Sequence, residues 1–109
     1  MKRLIDISYY QAPSKIDYDL LSANIDGIIL RSSYGTGVEW KGWGDSPDPS
    51  FDTHYQEFTA RGVPVGAYHF LVEYKSVDEQ LVIVKRALDG KDLPLGIWLD
   101  VELEPDTEA

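Results

Sequence analysis

Short stretches rich in Ile, Leu and Val alternate along this chain with segments of helical periodicity, and this alternation restricts the possible folds most. The predicted strands span residues 4–8, 27–32, 63–71 and 97–101, and the predicted helices span residues 18–23, 51–61 and 77–88. Strands and helices in this order predict an α/β protein with a parallel sheet and right-handed crossover connections. No repeat, low-complexity segment or linker divides the sequence, which predicts one structural unit over residues 1–109.

Residues typical of helix ends support these boundaries. The second helix is predicted to begin at Ser50 or Asp52 and to stop at Gly62. The third helix follows Ser76, carries two acids in its first turn and ends near Gly90. Its apolar residues recur at helical spacing, which predicts that one side of this helix packs on the sheet.

The last predicted strand leads directly into two carboxylates, Asp100 and Glu102. Because strand side chains alternate between faces, the two acids point the same way, with Cα atoms about 6.6 Å apart. Carboxyl groups at this range suit acid–base or nucleophilic chemistry on a glycosidic bond, and the C-terminal ends of barrel strands carry catalytic residues. The alternative is a strand that runs into a solvated acidic tail, since Glu104, Asp106 and Glu108 follow.

The other predicted strands also end in residues that can act on a ligand. These are Asp6 and Ser8, Arg31 and Ser33, and Tyr68 and Phe70. In a parallel sheet the C-terminal ends lie on one edge, where α/β proteins bind ligands. Alternatively, Asp6 or Ser8 caps a turn. Arg31 is then a solvated end residue or the ion-pair partner of one of the strand-end acids.

Aromatic residues are frequent in the predicted loops and at the strand ends. They are Tyr9, Tyr10, Tyr34, Trp40, Trp43, Tyr68 and Trp98. Flat rings with a polar tip suit the faces of sugars, and Trp40 and Trp43 lie among glycines in the loop over residues 34–49. Trp98 stands inside an apolar strand and is predicted to be part of the core.

The two histidines predict no metal site, because neither has a second ligand at a suitable spacing. His69 is predicted to pack in the barrel lining, and His54 to lie on the surface of a helix. No cofactor is expected.

Charge and hydropathy exclude several classes of partner. The formal net charge is −9, with 19 acidic and 10 basic residues, so no basic surface is available for nucleic acid or anionic lipid. No apolar run reaches the roughly 20 residues that span a bilayer, which predicts no membrane insertion. Residues 1–6 do not form a standard signal peptide, and the sequence has no cysteine.

Six motifs in order along the chain resemble those of a known enzyme family. They are DISYYQ (residues 6–11), IDY (16–18), LRSSYGTG (30–37), DPSF (48–51), GVPVGAYHF (62–70) and DVE (100–102). With these motifs the chain resembles the N-terminal half of the family 25 glycoside hydrolases. These are the Chalaropsis-type lysozymes common among bacteriophage endolysins and bacterial autolysins.

The resemblance implies a parallel β/α barrel that hydrolyses the β-1,4 bond between N-acetylmuramic acid and N-acetylglucosamine in peptidoglycan. It implies that Glu102 is the general acid, that Asp100 stabilises or orients the reacting centre, and that Asp6 holds a substrate hydroxyl or positions Asp100. The residues expected to contact substrate are Tyr68, Tyr10, Tyr34, Arg31, Ser33, Trp40 and Trp43. Such an enzyme is expected to be made in the cytoplasm and to act at the cell wall after release.

The chain also departs from the family pattern. Tyr9-Tyr10 stands where the family has His-Trp, and the loop over residues 38–47 is longer than usual. An eight-stranded barrel needs about 250 residues, whereas this chain has 109, and a late acid of the family site has no counterpart. The sequence therefore predicts half a barrel with open edges, completed by a complementary C-terminal half-barrel chain or by a homo-oligomer. The alternative is a non-catalytic glycan-binding or assembly module derived from such an enzyme.

Overall fold

The computed structural model describes residues 3–36 and 47–101. The strands are β1 (Leu4–Ile7), β2 (Gly27–Tyr34), β3 (Val65–Leu71) and β4 (Ile97–Val101), and the helices are α1 (Tyr18–Asn24), α2 (Phe51–Ala60) and α3 (Val77–Leu88). All strand pairs are parallel, and the sheet order is β1-β2-β3-β4. The predicted α/β class and order of elements are confirmed, and the described strands form an open sheet that matches part of a barrel.

The helices cover one face of this sheet, and the core lies between them. Because strand side chains alternate, every second residue of β1, β2 and β3 meets the helices. The buried core consists of Ile7, Ile28, Leu30, Val63, Val65 and Ala67 with Phe51, Phe58 and Ala87 from the helices. The opposite face, here called the pocket face, carries the other set of strand residues.

The predicted cap at the start of α3 is confirmed, whereas the predicted cap at the start of α2 is not. Ser76 and Glu79 form a capping box at the start of α3, and Asp17 accepts a hydrogen bond from the Leu20 N–H in α1. In α2, Ser50 occupies the N-cap position, but its side chain makes no capping bond. Asp48 accepts the Ser50 N–H at its Oδ1 over 2.9 Å, so the residue that holds this helix end lies before the predicted one.

Strand β2 is longer than predicted because it contains a bulge. Arg31 pairs with Tyr68, whereas Ser33 pairs with His69, so Ser32 is an extra residue in the ladder. The Ser32 hydroxyl donates to the Tyr68 carbonyl over 3.1 Å. Simple alternation would put Arg31 and Ser33 on the same face, but the bulge puts them on opposite faces.

Strand β3 is shorter than predicted and begins at Val65. Pro64 has no N–H to give to the ladder, although its carbonyl accepts a hydrogen bond from the Ile28 N–H over 3.0 Å. The bounds of α3 and β4 agree with the prediction.

Strand β4 lies at the edge of the sheet, and its large apolar side chains are exposed. Trp98 was predicted as core and is 56% exposed, so that prediction is wrong for the described residues. The reason is that β3 is the one described strand beside β4, and no described element lies against its other edge. The indole N–H of Trp98 donates to the Leu95 carbonyl over 2.9 Å.

Among the described residues, every helix is too short or too polar to cross a bilayer.

Candidate active site

An open cavity of about 420 Å³ lies on the pocket face, and all four strands contribute to it. Its lining residues are Leu4, Asp6, Ile29, Tyr68, Trp98, Leu99 and Asp100. The structure therefore brings together three of the predicted site residues, namely Asp6, Tyr68 and Asp100. Alternation places each of them on this face, since Asp6 pairs with Ile29 and Tyr68 pairs with Trp98.

The two acids of the cavity stand on the two outer strands, with Tyr68 between them on β3. Asp6 is exposed and Asp100 is half-buried. A carboxylate on each side of a cleft lined by apolar and aromatic groups can act on a sugar from both sides.

Tyr68 keeps its proton over the whole physiological range. Burial raises the pKa of Tyr68 to about 12, and the negative charges of Asp6, Asp100 and Asp48 add to this effect. The positive charge of Arg31 acts in the opposite direction. At neutral pH the phenol is therefore a hydrogen-bond donor between two carboxylates.

Arg31 is buried, so the alternative that makes it a solvated end residue is wrong. Its Nε donates to Asp48 Oδ2 over 2.9 Å, and the side chains of Arg31 and Asp48 are 5% and 0% exposed. Sequence analysis missed Asp48 as a site residue. Two features could have revealed it: Asp48 opens the DPSF motif, and an arginine inside an apolar strand needs a nearby negative charge.

Aromatic rings flank the guanidinium of Arg31. Its central carbon lies 5.7 Å from the Tyr10 ring centroid and 5.6 Å from the Tyr34 ring centroid. Tyr34 stacks on Phe70 with centroids 4.5 Å apart and planes 7° apart. Tyr10 and Tyr34, both predicted as substrate contacts, thus belong to one row of planar groups beside the cavity.

Ser33 faces the helices, so its predicted contact with substrate does not fit this structure. It is fully buried, and its hydroxyl bonds to His69 Nδ1 over 2.8 Å. His69 Nε2 bonds to Gln80 Oε1 over 2.8 Å, and the Gln80 amide nitrogen donates to the Val72 carbonyl. His69 is buried as expected, but it lies between the sheet and α3, so its predicted place in the barrel lining is wrong.

His54 is buried, so its predicted place on the helix surface is wrong. It follows Phe51 by three residues and precedes Phe58 by four, which puts all three on the buried side of α2. Its Nε2–H donates to the Gln11 carbonyl and its Nδ1 accepts from the Tyr18 hydroxyl, both over 2.8 Å. Burial lowers the pKa of His54, so the imidazole is neutral at pH 7.

Three predicted site residues, Glu102, Trp40 and Trp43, lie outside the described residues. Within residues 3–36 and 47–101, no group of three or more His, Asp or Glu side chains is placed to hold a metal ion.

Comparison with known proteins supports the fold. No protein-family model and no curated protein matches the sequence. Among solved structures, the glycosyl hydrolase 25 GHIP of Streptococcus pneumoniae, a virulence factor participating in host cell invasion, is 33% identical with a TM-score of 0.79. The alignment covers 94% of this chain and 46% of that one.

A second solved structure supports the fold alone. The catalytic domain of endolysin ply40, from bacteriophage P40 of Listeria monocytogenes, is 22% identical with a TM-score of 0.68. The alignment covers 95% of this chain and 49% of that one.

The open parallel sheet is similar to part of the β/α barrel of a glycosyl hydrolase 25. The resemblance to family 25 that the sequence motifs predict is confirmed by the similarity to GHIP, whereas the endolysin domain supports the fold alone. The chain spans about half the length of the two structures that it matches.

Proposed function

We propose that this chain supplies the acid-bearing part of a peptidoglycan hydrolase, which cleaves the β-1,4 bond between N-acetylmuramic acid and N-acetylglucosamine. One observation carries the proposal. Asp6, Tyr68 and Asp100 line a single open pocket in a sheet that is similar to a glycosyl hydrolase 25. The glycan strands of the bacterial cell wall are the proposed substrate, reached after release from the cytoplasm.

Each acidic residue has a proposed role in the reaction. Glu102 protonates the leaving oxygen, for which a carboxyl group near other carboxylates is suited. Asp100 stabilises the positive charge that develops on the sugar ring or orients the acetamido group of the substrate. Asp6 holds a sugar hydroxyl, and protonated Tyr68 donates a hydrogen bond near the reacting centre. This chemistry requires no cofactor.

We propose further that additional β/α units complete the site, either from a chain that carries the complementary half or from a second copy of this chain. The exposed apolar side chains of β4 support this proposal, because an edge strand with an apolar surface favours association. The matched structures are about twice as long as the aligned region, which is consistent with the same idea.

A specific observation favours a second candidate function, that of a non-catalytic glycan-binding module. Five of the seven residues that line the pocket are apolar or aromatic, namely Leu4, Ile29, Tyr68, Trp98 and Leu99. Such a surface can hold sugar faces without turnover.

The test is the release of reducing sugars from purified peptidoglycan. The chain is assayed alone and mixed with the C-terminal half of a similar lysozyme. In whichever arm is active, Glu102→Gln should lower the rate about 10²- to 10⁴-fold, because general acid catalysis is lost. The matched control is Glu104→Gln, which removes another carboxylate from the same stretch and should keep the rate.

The outcomes separate the proposals. Activity of Glu102→Gln equal to that of the unmodified chain would refute the assignment of the acid. Activity in the mixture alone would support completion by a second chain. No activity in either arm, with glycan binding retained, would favour the binding module.

A further inference from the structure

The segment between β1 and α1 contains a turn that begins two residues after Asp6. We call residues 8–11 the Tyr10 turn. The Gln11 N–H donates to the Ser8 carbonyl over 2.9 Å, and the Gln11 side chain accepts the Ser8 N–H over 2.9 Å. The turn therefore satisfies the N–H groups of Ser8 and Gln11 internally, and 57% of the surface of Tyr10 is exposed.

A buried carboxylate holds this turn from outside. Asp48 Oδ2 accepts the Tyr9 N–H over 3.0 Å and the Arg31 Nε–H over 2.9 Å, and Oδ1 accepts the Ser50 N–H over 2.9 Å. One side chain thus connects the Tyr10 turn, strand β2 and the start of α2. Bonds to a fully buried carboxylate are among the stronger hydrogen bonds in proteins, so this connection is rigid.

The far end of the turn is also fixed from α2. His54 donates from Nε2 to the Gln11 carbonyl over 2.8 Å. Tyr9 and Gln11 are therefore both tied to the same helix region, and Tyr10 between them has little freedom to shift.

Asp48 also controls the Tyr10 ring through Arg31. A guanidinium within about 6 Å of a ring centroid attracts the ring face, and Arg31 meets this condition for both Tyr10 and Tyr34. Arg31 pairs along the sheet with Tyr68, which lines the pocket. The exposed ring of Tyr10 is thus held against Arg31 of β2, the register partner of Tyr68 in β3.

We propose that Asp48 is a positioning residue, which fixes the exposed Tyr10 ring as a stacking surface for a glycan that occupies the pocket. The inference rests on the proposed function, because it assigns the ring a use in glycan binding. Asp48 itself is buried and touches no substrate. It acts through the Tyr9 N–H and through Arg31.

The test combines binding with amide hydrogen exchange on the full 109-residue chain. The probe is the β-1,4-linked tetrasaccharide of N-acetylglucosamine, titrated into the unmodified chain, Asp48→Asn, Tyr10→Ala and the double variant. Asp48→Asn should speed exchange of the Tyr9 amide about tenfold or more, because a charge-assisted hydrogen bond is lost. It should weaken tetrasaccharide binding about fivefold, and in the Tyr10→Ala background it should have no further effect.

A purely structural role would give a different pattern. Equal tetrasaccharide affinity in Asp48→Asn and the unmodified chain would overturn the inference, and so would a loss that persists undiminished in the Tyr10→Ala background. Ile83→Val, in the buried side of α3, controls for a general loss of stability and should keep both the Tyr9 exchange rate and the affinity. No binding by the unmodified chain would overturn this inference, whereas the proposed function is tested separately by the release of reducing sugars.

Asp48→Asn also deprives buried Arg31 of this counter-charge, which can prevent folding. The paired variant Arg31→Gln/Asp48→Asn removes both charges and tests the same expectation. The paired variant should also speed exchange of the Tyr9 amide and weaken tetrasaccharide binding. It should have no further effect on binding in the Tyr10→Ala background. A paired variant with unchanged Tyr9 exchange and unchanged affinity would overturn the inference.

Discussion

Strands β2 and β4 carry similar apolar side chains in very different surroundings. Ile28 and Leu30 of β2 are 0% exposed, whereas Ile97 and Leu99 of β4 are 60% and 65% exposed. Strand β2 has a neighbour on each side and helices against one face, whereas β3 is the one described strand next to β4. The comparison shows that the burial of a strand depends on the elements around it as much as on its own sequence.

The largest expected effect comes from the same substitution in both strands. Leu30→Ala should lower the free energy of unfolding by about 2–5 kcal/mol, because it leaves a cavity in the core. Leu99→Ala should change it by about 0.5 kcal/mol or less, because the side chain is already mostly in water. Urea unfolding of the two variants measures both values. Equal losses would contradict the contrast and would indicate that β4 is covered in solution.

Buried and exposed glutamines extend the contrast to polar groups. Gln80 joins His69 to the backbone of Val72, and it is fully enclosed, whereas Gln56 on α2 is exposed. Gln80→Leu should cost about 1–3 kcal/mol of unfolding free energy, because buried hydrogen-bonding groups lose their partner. Gln56→Leu, the matched control, should stay within about 0.5 kcal/mol. Similar unfolding midpoints for the two variants would show that the network around His69 adds little.

The smallest expected effect is a pH dependence of the free energy of unfolding, which comes from buried His54. Burial lowers the pKa of His54 from its ordinary value of 6.5, and Tyr18 and Asp48 are the titratable groups nearest to it. The unfolded chain therefore binds a proton more readily than the native one. This contribution to stability is complete above about pH 6.5 and is lost as the pH falls through the native pKa.

The measurement is the urea midpoint at pH 7.5 and pH 5. The midpoint should fall more for the unmodified chain than for His54→Gln, whose amide can still donate to the Gln11 carbonyl. The carboxylates titrate in both proteins, so the difference between the two falls isolates His54. Identical falls would contradict the assigned effect of burial.

Sequence periodicity was enough to predict the fold class, the order of the elements and the bounds of α3 and β4. It could not predict contacts that depend on neighbours distant in sequence. Trp98 stands in an apolar strand, yet its exposure depends on whether another element lies beside β4. His54 is polar, yet its position in α2 places it between Phe51 and Phe58, where Tyr18 and Gln11 satisfy both ring nitrogens.

The candidate site shows the same limit. Asp6 and Asp100 could be predicted because strand ends in a parallel sheet share one edge, and the pocket contains both. The DPSF motif contains Asp48, but the role of this residue was missed, because it comes from three donors in three separate segments. Arg31 was recognised as a residue of interest, but alternation along one strand does not reveal which carboxylate lies against it.

The bulge at Ser32 changes which residues of β2 face each side of the sheet. Before the bulge, odd-numbered residues such as Ile29 and Arg31 lie on the pocket face. After the bulge, the even-numbered Tyr34 lies on the pocket face, where it stacks on Phe70. A strand that lacks the extra residue will therefore align correctly with the first half of β2 and be out of phase with the second. When roles are transferred between such strands, the numbering must shift by one at Ser32, or a buried serine is mistaken for a residue that contacts the ligand.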